Sequence, residues 1–245
     1  MTRRRPAYTR YEVLRSFRNW RFGVLTLAFP LVLYLTVAGA NGHVRFDGTP
    51  FRLYFMTAMA TLGTIAAVVS GGAVIAADRA AGWTRQMRIT PLKVGAYFRA
   101  KVFCGYLRAL LTMVLLGLAG TALGVRLSAR EWLTVVGLLL VGLVPFAVLG
   151  VMLGHLISSD AMAPSVGGIV TLFCLLGGVY GFQIAKSGPM FEVIKGLPSF
   201  WLAQAGKAVG GGGGWPAEAW IVLAAWTAAL IPLAVLAYRR DTSRV

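Results

Sequence analysis

The chain has 245 residues, of which 58% are apolar and only 13% charged, and its mean hydropathy is +0.72. That leaves too few charges to solvate the surface of a water-soluble domain of this length, so the soluble classes are excluded. The net charge of +16 does not mark a nucleic-acid binder, because the basic residues sit between long apolar runs rather than in one patch.

Residues 8–21 are expected to form an interfacial helix. Val13, Leu14, Phe17 and Trp20 cluster on one side of a helical wheel; Glu12, Arg15, Ser16, Arg18 and Asn19 cover the other. Uncharged stretches follow at 22–44, 53–77, 109–125, 132–159, 161–185 and 219–238. A bilayer core takes roughly 20 helical residues to cross. Five of the stretches reach that length, and 109–125 qualifies if Arg108 snorkels to the headgroups from its cytoplasmic end. Spans are therefore expected at about 22–40, 53–77, 102–125, 132–157, 163–185 and 218–238. The reading is an all-α integral membrane protein, one domain over 1–245 with six transmembrane helices. Ala38-Gly39-Ala40 resembles a cleavage site, but the amphipathic stretch before the first apolar run favours a retained span.

Pro30, Pro145 and Pro232 predict bends in spans 1, 4 and 6. Thr61, Thr64, Ser70, Gly71 and Gly72 let span 2 pack closely, the default reading, or line a polar path, and the pairs Gly120/Gly124, Gly150/Gly154 and Gly177/Gly181 predict tight contacts for spans 3, 4 and 5. Cys104 and Cys174 lie in or beside spans and read as packing residues. Between spans 5 and 6, residues 186–217 hold Phe191, Phe200 and Trp201 among proline and glycine breakers. This predicts short re-entrant helices at the outer face, with those three aromatics shielding an exit or anchoring the loop.

Of the 24 basic residues, 17 fall on one side of this six-span arrangement, before span 1, in 78–101, after span 6 and at Arg108. The positive-inside rule makes that side cytoplasmic, with both termini there and some attraction to anionic lipid.

No P-loop and no metal-binding histidine pair occurs, and the eight acidic residues all map to loops or span ends. No histidine is placed to activate Ser70. An autonomous enzyme or an ion-driven pump, which would bury an ionisable group in mid-membrane, is disfavoured.

The segment Asp78-Arg79-Ala80-Ala81-Gly82-Trp83-Thr84-Arg85-Gln86-Met87-Arg88-Ile89-Thr90-Pro91, with Lys101 opening span 3, resembles the cytoplasmic segment of type-two ABC exporter permeases. The basic lead-in Tyr8–Arg21, the six spans and the Leu175–Gly181 glycine-rich run extend the likeness along the chain. Asp78 stands where that family's segment carries glutamate, and the run after Gly181 lacks its early proline. The resemblance implies a permease of a bacterial cytoplasmic membrane that forms a homodimer and exports an amphipathic drug, antibiotic or lipid. It implies a separate ABC ATPase subunit that binds the ATP and Mg, so that the chain itself needs no cofactor. It further implies that Asp78, Arg79, Gly82, Trp83, Thr84, Arg85 and Arg88 couple to the ATPase. A six-helix enzyme acting on lipid, or a membrane scaffold, is the alternative.

Overall fold

The computed structural model describes residues 5–18, 20–42, 44–46, 48–82, 94–180, 187–210 and 214–243. Helix α1 (Arg5–Arg18) precedes α2 (Trp20–Ala40), and a two-stranded hairpin, β1 (Arg45–Phe46) with β2 (Thr49–Pro50), leads into the second span. That span is two helices, α3 (Phe51–Val69) and α4 (Gly71–Ala80), separated at Ser70. Next come α5 (Val94–Ala122), then α6 (Ala129–Gly142) and α7 (Val144–Leu156) as one broken span, and α8 (Ser159–Leu176). Three short helices, α9 (Pro189–Lys195), α10 (Pro198–Ala203) and α11 (Ala205–Gly210), precede α12 (Ala217–Ser243). Five stretches, Phe51–Ala80, Gly95–Ala122, Ala129–Leu156, Ser159–Leu176 and Ala217–Asp241, are long and apolar enough to cross a membrane, and α2 contributes the shorter Leu27–Ala40. The chain is thus an all-α integral membrane protein of about six spans.

Local chemistry explains the element ends. Ser128 and Glu131 form a reciprocal capping box at the start of α6, satisfying two backbone donors that a helix leaves unpaired. Pro145 stands in the first turn of α7, where its missing N–H costs nothing, and the fourth span breaks at Leu143 beside it. By contrast α2 and α12 run through Pro30 and Pro232 without a break in the helix. Helix α5 begins at Val94, well before the expected start of span 3, while α8 ends at Leu176, short of the expected end of span 5.

The second span is the core. In α3 every residue but Phe51, Arg52 and Ala66 is buried, and α2, α5, α7 and α8 surround it. Its hydroxyls bond within the helix: Thr57, Thr61, Thr64 and Ser70 each donate to a carbonyl three or four residues back. The peripheral helices expose Leu172, Ile221, Ile231 and Leu236, as lipid-facing helices do. Of the predicted glycine contacts, Gly150 and Gly154 face Gly72. A Cβ on Gly72 would lie 2.1 Å from the Gly150 carbonyl oxygen, and one on Gly154 would lie 2.7 Å from the Gly72 oxygen. Helices α4 and α7 therefore meet backbone to backbone, a contact that only glycine permits. Gly120 packs on Met56, whereas Gly124, at φ +89°, ends α5 in a turn. Gly177 lies against Ser199 of α10, and Gly181 lies outside the described residues. Cys104 and Cys174 are buried free thiols.

The outer segment folds back onto the bundle: α10 packs against α3, α6, α8 and α12. Ser199 Oγ donates to the Phe173 carbonyl at 2.6 Å, Trp201 Nε1 to Lys195 at 2.8 Å, and Trp226 Nε1 to Gly196 at 2.8 Å.

Candidate functional site

At the end of the bundle that carries α1, four charged side chains meet. Asp78, in the last turns of α4, has Lys101 Nζ at 2.7 Å and accepts a hydrogen bond from Tyr97 Oη at 2.9 Å, both on Oδ2. Its Oδ1 lies 3.0 Å from Arg15 Nη1. Lys101 Nζ also lies 2.5 Å from Glu12 Oε1, and the second Glu12 oxygen is 4.0 Å from Arg15. Helical spacing supplies the pairs: Glu12 and Arg15 are three apart on α1, and Tyr97 and Lys101 four apart on α5, so each pair shares a face. Glu12, Asp78 and Lys101 are each only 3% exposed. Two carboxylates against two cations leave this cluster neutral, the condition under which charges tolerate burial. Burial alone would lower the Arg15 pKa, but Asp78 and Glu12 beside it hold the guanidinium above its ordinary value.

The interfacial helix leaves Leu14 of its apolar side facing outward and turns its polar side to the bundle. Its charged residues Glu12 and Arg15 face the bundle, while Leu14 is 62% exposed and Tyr11 56%. Two cationic partners on other helices make the polar side the inner one, and Leu14 and Tyr11 are left for the membrane interface.

The next residue of α4 holds the opposite side. Arg79 Nη1 donates to the carbonyls of Gly154 (2.8 Å) and Ile157 (3.3 Å) at the end of α7, where unpaired carbonyls favour a cation. Its Nη2 pairs with Asp241 of α12 at 2.8 Å, and Asp241 also meets His155 Nδ1 at 3.0 Å. Phe98, His155 and Tyr238 close the group with edge-to-face contacts. Arg52, at the opposite end of the second span, plays the same part, donating to Leu123 at 2.6 Å and Ala38 at 3.5 Å.

Helix α4 ends as a glycine-terminated helix does. Gly82 has φ +71°, and its N–H bonds back to Arg79. Trp83, Thr84, Arg85 and Arg88 lie outside the described residues. The structure thus unites Asp78 and Arg79 with residues that sequence reasoning placed in loops or at span ends: Glu12, Arg15, His155 and Asp241. Tyr97 was missed. Two signals were available: a lysine on a helix that continues into an apolar run needs an acid, and Glu12 is the one acid among seven arginines before span 1.

The aromatics Phe191, Phe200 and Trp201 meet edge to face, with Phe200 centred 6.0 Å from Phe191 and 5.1 Å from Trp201. Phe200 and Trp201 are buried in the core and Phe191 is half-buried. Phe200→Ala should therefore lower stability by ~3–5 kcal/mol, and Phe191→Ala by clearly less. Thermal denaturation in detergent checks this ordering; equal losses would contradict it.

The fold and this cluster define a polytopic membrane protein whose charged residues are organised at one end of the bundle, around the link between its second and third spans. The ABC-2 type transporter family matches residues 6–205, and the chain belongs to that family. It is similar to "Putative transport permease YvfS" of Bacillus subtilis (strain 168), at 25% identity over 194 residues covering 77% of this chain and 78% of that one. The chain is the permease, or membrane, subunit of an ABC transporter.

Proposed function

We propose that the chain serves an ATP-driven exporter that moves an amphipathic small molecule, a drug, antibiotic or lipid, out of a bacterial cell. Two copies pair in the cytoplasmic membrane with both termini inside. A separate ATPase subunit, which binds the ATP and Mg, docks on each copy. The orientation rests on the basic excess on the α1 side. On the outer side, Phe191, Phe200 and Trp201 cover the exit.

One observation carries the coupling reading: the 83–93 segment leaves from Asp78 and Arg79 and returns to Tyr97 and Lys101, and both ends are held by the same ion cluster. A displacement of that segment by the ATPase is therefore passed together to α4, α5 and, through Glu12 and Arg15, to α1. Pairs buried in low dielectric resist separation, so these elements move as one body. The break at Ser70 lets α4 change its angle to α3.

Trp83 and Arg85 supply the docking contact, an aromatic to fill a cleft and a guanidinium to make paired hydrogen bonds. The double variant Trp83→Ala, Arg85→Ala should weaken ATPase association by about 2 kcal/mol or more, roughly 30-fold. It should insert normally and lose export. Co-purification of the ATPase and export from cells are the measurements; wild-type values for both would remove this segment from the coupling role.

A further inference from the structure

Beside the ion cluster lies a cavity of ≈370 Å³, within the range of small-molecule sites. It is open to the exterior of the chain and walled by α1, the Ser70 break, α5 and the first turns of α8. Glu12, Arg15 and Lys101 line it, and together with Asp78 they neutralise one another. Arg108 lines it too, and among the described residues this charge has no carboxylate in contact, Glu12 attracting it only from a longer distance. Its Nε donates at 3.4 Å to Cys104 of its own helix, and no described carboxylate lies within 4.0 Å of it. Arg108 is the midpoint of α5, fourteen residues from Val94 and fourteen from Ala122. The charged residues of the walls, Glu12, Arg15, Lys101 and Arg108, together with Asp78 behind them, carry one net positive charge.

We propose that this cavity binds the anionic end of an amphiphile, a phosphate or carboxylate on an apolar chain, with Arg108 as its counter-ion. An uncompensated guanidinium in a membrane-spanning helix is costly, and a bidentate oxyanion removes that cost. Glu12 is already engaged by Lys101, so the anion sits toward Arg108 and Ser70, away from the carboxylate. The apolar chain has a path. Ser159 and Ala163 of α8 line the cavity, and Gly167, four residues on, faces open space. These residues share one face of α8, and their small side chains leave room along it for an apolar chain. The inference rests on membrane placement and deepens the transport reading by naming an anionic amphiphile, either a resident lipid or the cargo.

Binding to the purified full chain in detergent, without ATPase, tests it. The probes are phosphatidylglycerol against phosphatidylcholine, and decanoate against decyl maltoside, followed by native mass spectrometry. The wild type should hold at least one anionic probe about tenfold more tightly than its neutral counterpart. Arg108→Gln should abolish that preference and Arg108→Lys keep most of it. Ala163→Phe, at an exposed position, should remove binding by filling the cavity with every charge intact, and it decides the matter if Arg108→Gln does not fold. Preference for phosphatidylglycerol alone identifies a resident lipid, and preference for decanoate identifies a transported amphiphile. Equal affinity of wild type, Arg108→Gln and Ala163→Phe for charged and neutral probes overturns the proposal. That result would leave the transporter assignment standing, because ATPase association is measured separately with the Trp83 and Arg85 variants.

Discussion

Lys101→Met should cost ~3–5 kcal/mol, the loss seen when one partner of a buried ion pair is removed. Among the described residues Lys101 is the only cation closer to Glu12 than the 4.0 Å approach of Arg15, and Glu12 is 3% exposed. The carboxylate would be left in low dielectric with a distant, part-exposed counter-charge. Asp78 suffers less, since it keeps Arg15 at 3.0 Å and Tyr97 at 2.9 Å. This asymmetry makes the prediction specific. Glu12→Gln in the Lys101→Met background should recover much of the loss, whereas Asp78→Asn should recover little. Thermal unfolding in detergent of the single and double variants yields the coupling energies directly. A Lys101→Met protein as stable as wild type would show that the cluster does not hold the bundle together. Export should fall with stability, because α1, α4 and α5 lose the contact through which they move jointly.

The contact between α4 and α7 is the second point of high sensitivity. In Gly72→Ala the new Cβ would stand 2.1 Å from the Gly150 oxygen, and the group it meets is backbone, which cannot rotate away. The helices must separate, at a cost of ~1–3 kcal/mol or more. Separation also pulls the Gly154 carbonyl from Arg79, so the damage reaches the charged site. Gly167→Ala on α8 is the control: nothing lies within 4 Å of its Cβ, and alanine is the better helix former. Gly72→Ala should lower the unfolding temperature and abolish export, while Gly167→Ala should leave stability equal or slightly raised. Indistinguishable behaviour of the two would mean that α4 and α7 do not cross at these glycines.

Much of the architecture was legible residue by residue. Helices were expected wherever uncharged runs were long enough, and Ser128 with Glu131 marks a start that any S-x-x-E pattern would flag. The glycine pair of the fourth span indicated a tight contact, although its partner, Gly72, could not be named from spacing. The short helices of the outer segment follow from Pro189, Pro198 and the glycines around them. The site was only half visible. Asp78 and Arg79 were singled out through the family-like segment, but their partners are distant in sequence: Arg15 is 63 residues from Asp78, and Glu12 is 89 from Lys101.

Crossing a membrane is a requirement on consecutive residues, so length and apolarity along the chain were enough to establish the number and kind of spans. The proposed orientation rests on the distribution of arginine and lysine, which is one-dimensional in the same way. Which face of a helix turns inward is a different kind of question. The wheel of α1 separates Leu14 from Glu12, but it does not contain the reason that the Glu12 side faces the bundle, which is that Lys101 and Arg15 neutralise Glu12 inside. The buried state of a charge depends on counter-charges brought by other helices, and no local pattern contains them. The surroundings of Arg108 were out of reach for the same reason: the cavity that it faces in the middle of α5 was decided only by where α5 begins and which helices pack around it.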